Sequence, residues 1–119
     1  MKSRILDFLA PAKPERKPGF SGILFYIFFM YYVYMLLSKR DGQLYIGSTP
    51  DLKKRVEKHN RGFVLSTKNR LPLVLIYYEA YLLSHDAKHR EKFLKGGKVR
   101  TELKIQLKSC FEKMNYRFR

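Results

Sequence analysis

Five side chains in this sequence could do chemistry together: Tyr34, Tyr45, Arg55, His59 and Glu91. Arg55 and His59 are four residues apart, a spacing that puts both on one face of a helix. An always-charged, planar guanidinium suits a phosphate. A carboxylate such as Glu91 can hold a divalent ion of the magnesium or manganese kind, with waters and substrate oxygens completing the shell. Phosphodiester cleavage needs those parts: a nucleophilic water, charge neutralisation at the scissile phosphate and stabilisation of the leaving oxygen. One carboxylate is few for a tight metal site, so the expectation is weak binding completed by the nucleic acid. Each residue also has a plain structural duty. A tyrosine pair is commonplace on a sheet. Arg55 lies among Lys53, Lys54 and Lys58 and could be one solvated basic face, and His59 near a helix end favours the helix dipole. Glu91 can pair with Lys95 or Lys88 along a helix.

The elements that must position this set are legible from punctuation and period. Tyr31 to Ser38 reads as a strand, and Asp41-Gly42 is a hairpin-turn signal. Leu44 to Ser48 reads as the returning strand. A two-residue loop would pair Arg40 with Gln43 and Ser38 with Tyr45, placing Tyr34 and Tyr45 on one sheet face but some residues apart. A longer loop or a bulge would bring them closer, and the sequence does not choose. Thr49 can cap the helix that follows, Pro50 suits its first turn, and Gly62 ends it after about Asn60. Leu73 to Tyr81 reads as a third strand, apolar enough to be central. Ser84 can cap a second helix that ends near Lys95. From about Lys98 a last helix carries Val99, Leu103, Leu107, Cys110, Phe111 and Met114 at helical spacing. The fold class is α/β in the α+β sense: a three-stranded antiparallel sheet flanked by three helices.

The motifs in these elements resemble those of the GIY-YIG nuclease family. Tyr32-Val33-Tyr34 looks like the first motif and Tyr45-Ile46-Gly47 matches the second, with a similar eleven-residue step between the tyrosines. DLKKRVEKHNRG is similar to the family's first helix, with Arg55 and His59 in place, and AKHREKFLK to its second, with Glu91 in place. Tyr32 stands where the first motif has glycine. The likeness covers residues 30–115 and is closest to small standalone bacterial members; other relatives include homing endonucleases, some restriction enzymes and the incision domain of the excision-repair nuclease. It implies a divalent-metal-dependent endonuclease acting on nucleic acid, DNA before RNA. In the roles the resemblance implies, Tyr34 or Tyr45 orients or deprotonates the attacking water. Arg55 binds the scissile phosphate, His59 assists in proton handling or phosphate contact, and Glu91 holds Mg2+ or Mn2+.

Bulk composition agrees. The 119 residues suit one domain, and 25 Lys and Arg against 10 Asp and Glu give +15. Residues 30–119 keep 20 basic and eight acidic side chains, or +12, so the excess belongs to the folded part. That charge suits a polyanionic partner. Lys53, Lys54, Lys58, Arg61, Lys68 and Arg70 would track a nucleic-acid backbone through charge, independent of sequence. A nucleic-acid-binding protein without catalysis is the first rival reading. Cys110 is the only cysteine, which points to a reducing compartment and so to the cytoplasm; among Leu107, Phe111 and Met114 it reads as a small core residue.

Residues 1–29 read as an amino-terminal extension to a domain over 30–119. Residues 1–19 are polar and proline-rich, as a flexible lead would be. Phe20 to Leu37 then runs uncharged for 18 residues, the minimum for a membrane span. A membrane-anchored basic protein through residues 20–37 is the second rival. Its latter half also alternates like a strand, and one segment cannot serve both ends.

Overall fold

The computed structural model describes residues 29–116. The elements, in order, are β1 (Tyr31–Ser38), β2 (Leu44–Thr49), α1 (Leu52–Asn60), β3 (Leu73–Tyr81) and α2 (Ser84–Leu94). A 3-10 turn over Gly97–Val99 then leads into α3 (Arg100–Gln106) and α4 (Lys108–Lys113). The flexible lead and the amino-terminal half of the apolar run lie outside the described residues; the other half of that run is β1. No described helix is long and apolar enough to cross a membrane.

The strands form one antiparallel sheet in the order β2-β1-β3. Leu73 to Tyr81 is therefore an edge strand and not the central one. The central place goes to β1, whose residues Val33 to Ser38 are all buried. The mixed burial of β3, with Tyr78 and Ala80 exposed, is what an edge tolerates. The hairpin pairs Leu37 with Leu44 and Leu36 with Tyr45, so its loop is longer than the two residues of Asp41-Gly42. Ser38 N donates to Gln43 O and Gly42 N to Ser38 O, with Gly42 in the left-handed region at φ +70. A left-handed residue costs glycine nothing. This register differs from the two-residue one by an even step, so the faces are kept and Tyr45 moves toward Tyr34.

Both faces of the sheet are covered. On one, Val33 and Met35 of β1 pack with Ala87 and Leu94 of α2 and with Val99 and Leu103. On the other, Tyr34 and Leu36 pack with Leu52 and Val56 of α1 and with Leu73 and Leu75. The pairing of β1 with β3 shifts between Met35 and Leu36, where Ile76 is the extra residue. That bulge lets Leu73 and Leu75 face α1 while Tyr77 and Glu79 face α2.

Asp51, and not Thr49, caps α1: its carboxylate accepts from Lys54 N at 3.3 Å. Thr49 is still in β2, and its hydroxyl accepts from Asp51 N at 3.1 Å. Gly62, at φ +77, ends the helix, with Gly62 N donating to His59 O and Phe63 N to Lys58 O. Ser84 is the first residue of α2 and does not cap it; Leu83 precedes it without a side-chain cap. The single last helix expected from Lys98 is broken at Leu107, with φ −109 and ψ 25, making four helices in place of three. Buried Leu103 and Phe111 lie on either side of the break, so the apolar spacing runs through it unchanged. Ser109 and Cys110, weak helix formers, sit just beyond it.

Candidate active site

Tyr34 is at the centre of β1 and opposite Gly47 of β2. Its ring lies over that glycine: a Cβ there would be 2.6 Å from the phenol oxygen and 2.7 Å from Cζ. The approach leaves no room for a side chain at position 47. The Tyr34 ring is fully buried, and its oxygen is 2.8 Å from His59 Nε2. Arg55 Nε donates to the same oxygen at 3.4 Å. His59 is also fully buried, and its Nδ1 is 2.7 Å from Thr67 Oγ1, itself fully buried. A continuous hydrogen-bonded chain thus runs Thr67, His59, Tyr34, Arg55. Tyr45 closes the cluster, with its ring centroid 4.9 Å from that of His59 and 6.2 Å from that of Tyr34.

α1 places these groups because Arg55 and His59 are one turn apart on it, and Val56 and Leu52 seat that side of the helix on the sheet. Burial pushes the Tyr34 phenol up to about 12; the hydrogen bond from Arg55 pulls against it, and the charges of Tyr45 and Glu91 add to the rise. Burial, and then the Arg55 charge, lower His59 to about 4, so its ring is neutral at physiological pH. The hydrogen bond to Tyr34 raises Arg55 above its ordinary value, burial works against this, and the Tyr45 phenol adds to it.

Glu91 comes from the opposite face of the sheet, on α2. Ser48 Oγ donates to its Oε1 at 2.5 Å and Lys95 Nζ to its Oε2 at 2.7 Å. Burial pushes the Glu91 carboxyl up, but the bonds from Lys95 and Ser48 outweigh it and hold the group below the usual range. Glu91 is therefore ionised, and its side chain is 22% exposed. The neighbouring Arg90 gives a two-pronged hydrogen bond to Glu79 of β3, at 2.9 and 3.1 Å, which fixes the turn of α2 that carries Glu91.

Among the described residues, no three His, Cys, Asp or Glu side chains gather where they could share an ion. What is present is one ionised carboxylate beside a serine hydroxyl, a hard oxygen set that fits a loosely held cation finished by water and substrate oxygens. Lys95 now neutralises it, through an exposed ion pair of the weak kind.

Of the basic residues proposed to track a backbone, Lys54, Lys58, Arg61 and Lys68 are exposed and Lys53 is half-buried. The Arg61 guanidinium carbon lies 5.1 Å from the Phe63 ring centroid. Arg70 is engaged in the fold: its Nε donates to Asp41 at 2.6 Å and its outer nitrogen to Gln43 O at 3.2 Å. Cys110 is half-buried, and burial raises its thiol.

Three residues of the site were not singled out from the sequence. Gly47 shows in the sequence only as part of a motif, and the ring its missing side chain admits is not visible there. Ser48 passed as the end of a strand. Thr67 lay in a polar stretch after α1, and no local pattern ties it to His59.

Comparison with known proteins identifies the domain. The GIY-YIG catalytic domain matches residues 30–104. A UPF0213 protein of Clostridium perfringens is 40% identical over 79 residues, which are 66% of this chain and 82% of that protein. One from Staphylococcus saprophyticus is 37% identical over 76 residues, 63% of this chain and 92% of the relative. Another, from Streptococcus pyogenes, is 40% identical over 72 residues, 60% of this chain and 77% of the relative. No solved structure matches. With that domain matched over residues 30–104, the chain belongs to the GIY-YIG catalytic-domain family.

Proposed function

We propose that this protein is a divalent-metal-dependent endonuclease that hydrolyses phosphodiester bonds in nucleic acid, DNA in preference to RNA. The domain implies nuclease-type action on nucleic acid. The observation that carries the finer reading is the buried chain Thr67–His59–Tyr34–Arg55 with an ionised Glu91 whose charge is felt at Tyr34. A buried polar network of this kind is costly unless every member is satisfied, and it fixes one phenol oxygen within a cluster of groups suited to a phosphate.

Arg55 contacts the scissile phosphate and offsets the charge that builds on its oxygens. Tyr34, held from two sides, orients the attacking water, and the Tyr45 phenol is the second hydroxyl at that point. His59 is neutral and acts on Tyr34 by holding its oxygen in place. Glu91 and Ser48 would hold Mg2+ or Mn2+, which when bound supplies positive charge at the phosphate and acidifies a water. Lys54, Lys58, Arg61 and Lys68 bring the polyanion to the site through charge, with Lys53 and Arg70 behind them.

The rival, a nucleic-acid binder without catalysis, shares every basic residue but needs no buried chain. The test is incubation of the purified full chain with structured DNA and RNA, with and without magnesium or manganese. Cutting that appears with metal supports the nuclease reading; binding with no metal-stimulated cutting in any substrate favours the rival.

A further inference from the structure

The loop after α1 is pinned to the candidate active site and yet turns two apolar side chains outward. Gly62 N donates to His59 O and Phe63 N to Lys58 O, which folds the loop back on the last turn of the helix. Val64 and Thr67 are buried, and Thr67 Oγ1 is 2.7 Å from His59 Nδ1. Thr67 N donates to Val64 O and Arg70 N to Thr67 O, so the chain between these anchors is a run of hydrogen-bonded turns. At the far end the Arg70 carbonyl accepts from Ser38 Oγ at 2.6 Å. With Val64 and Thr67 holding the inward positions, Phe63 and Leu65 face solvent, 68% and 81% exposed. Surface apolar groups scattered singly are ordinary. These two sit together among Lys58, Arg61 and Lys68, all of them exposed. The Arg61 guanidinium carbon lies over the Phe63 ring, 5.1 Å from its centroid.

We propose that Phe63, flanked by Leu65, is a stacking platform for an unpaired nucleobase, so that the preferred substrate is single-stranded or carries a single-stranded segment beside α1. Charge alone accounts for the lysines and not for the ring, because a phosphate is contacted by cations. An aromatic face within a basic surface suits a base whose own face is open, and every base has such a face. In a duplex those faces are covered by the neighbouring pairs, and the platform has little to receive. Arg61 on the ring adds a cation to the stack. Lys58 and Lys68 contact the flanking phosphates through charge. Thr67 ties the loop to His59, so a base held on Phe63 fixes the strand relative to Tyr34 and Arg55. The substrate preference rests on the nuclease reading; the stacking does not.

The sequence contains no tryptophan, so Phe63→Trp introduces a single fluorescent reporter while keeping an aromatic face. The full-length protein is titrated, in EDTA so that no metal-dependent cutting occurs, with a single-stranded DNA oligonucleotide and with the duplex of the same length. Emission from Phe63→Trp is expected to be quenched by the single strand and little changed by the duplex. Phe63→Ala is expected to raise the Kd for the single strand at least about fivefold, the low end of what stacking one base supplies, with the duplex Kd unchanged. An unaltered single-strand Kd in Phe63→Ala, or an equal loss on the two substrates, overturns the proposal. Self-association that Phe63→Ala abolishes, with nucleic-acid affinity unaltered, also overturns it and makes the loop a protein interface. If Phe63→Ala melts lower than the wild-type protein, the Phe63→Trp emission still decides, and absence of quenching by the single strand overturns the proposal. Addition of magnesium or manganese then separates the two readings. A protein that binds and is quenched but cuts nothing overturns the nuclease reading and leaves the platform standing. A protein that cuts, while Phe63→Ala binds the single strand as tightly as wild type, does the reverse.

Discussion

Replacing Gly47 with alanine puts one methyl group where the structure has least room. The added Cβ would be 2.6 Å from the Tyr34 oxygen, 2.7 Å from Cζ and 3.1 Å from Cε1. Ordinary carbon contacts begin near about 3.5 Å, so something must move by close to an ångström. Tyr34 cannot easily be the part that yields, because it is fully buried and its oxygen is tied to His59 and Arg55. Overpacking of this kind costs about 1–3 kcal/mol. For a domain this size that is a fall of roughly 4–8 °C in Tm per kcal/mol. The effect on activity is larger, because a shift near 1 Å in a positioned group costs on the order of a hundredfold in rate. The expected result for Gly47→Ala is a folded protein with Tm lower by roughly 4–24 °C, unchanged nucleic-acid affinity and kcat down about a hundredfold. Circular dichroism melts, filter binding and a metal-dependent nicking assay measure the three. A Gly47→Ala protein that cuts at the wild-type rate would show that the close seating of Tyr34 on β2 carries no catalysis.

Glu91→Gln keeps the size and helix propensity of α2 but loses the charge; cleavage is expected to fall at least about a hundredfold with binding little changed, and unchanged cleavage would remove Glu91 from the site. Affinity for both DNA and RNA should fall steeply with salt, since residues 30–119 carry +12; a flat response from low to physiological salt would argue against phosphate-driven binding. His59 is lowered from 6.5 to about 4 in the folded chain, so on acidification the unfolded chain takes up its proton first and stability drops between those values. The loss amounts to about 3 kcal/mol at most; urea melts at pH 7 and 4.5 should show it, and His59→Gln should flatten it. A chain starting at Met30 keeps every described strand and helix and is expected to unfold cooperatively and keep activity; loss of a cooperative melt would make residues 1–29 part of the fold.

What the sequence made legible was local. The bounds of β1 and β3 follow from apolar runs between turn residues, and Gly62 ends α1 because a left-handed residue is needed there. The site residues came from the resemblance of Tyr45-Ile46-Gly47 and the two helical stretches to family motifs; type and spacing add only that Arg55 and His59 are one helical turn apart and that two tyrosines share a face. Less visible was anything set between elements. Strand order is not legible, because the apolar content of Leu73 to Tyr81 does not say which strand has two neighbours: β1 is central and β3 is an edge. Loop length in the hairpin stays open in the sequence, since Asp41-Gly42 marks a turn but not its reach; Asp41 is tied to Arg70, 29 residues away. Thr67 is invisible for the same reason. It is bound to His59 by the path of the loop after α1, and no period or motif encodes that path.

The two halves of the site lie on opposite faces of the sheet, and two consecutive residues join them. Side chains on a strand alternate, so Gly47 faces α1 and Ser48 faces α2. On the α1 side the missing side chain of Gly47 lets Tyr34 lie across β2, which is an edge strand. On the α2 side the Ser48 hydroxyl takes hold of Glu91. Had β2 been central, a further strand would cover this crossing point; at the edge, the phenol and the carboxylate flank one strand, and the Glu91 charge adds to the rise of the Tyr34 phenol. The register of β1 on β2 therefore sets the geometry of the candidate site. A slip of one residue would turn Gly47 away from Tyr34 and put Ser48 beneath its ring, separating both halves at once. Gln43, whose carbonyl accepts from Ser38 N, and Asp41, which accepts from Gln43 N at 2.8 Å, close the loop that prevents the slip.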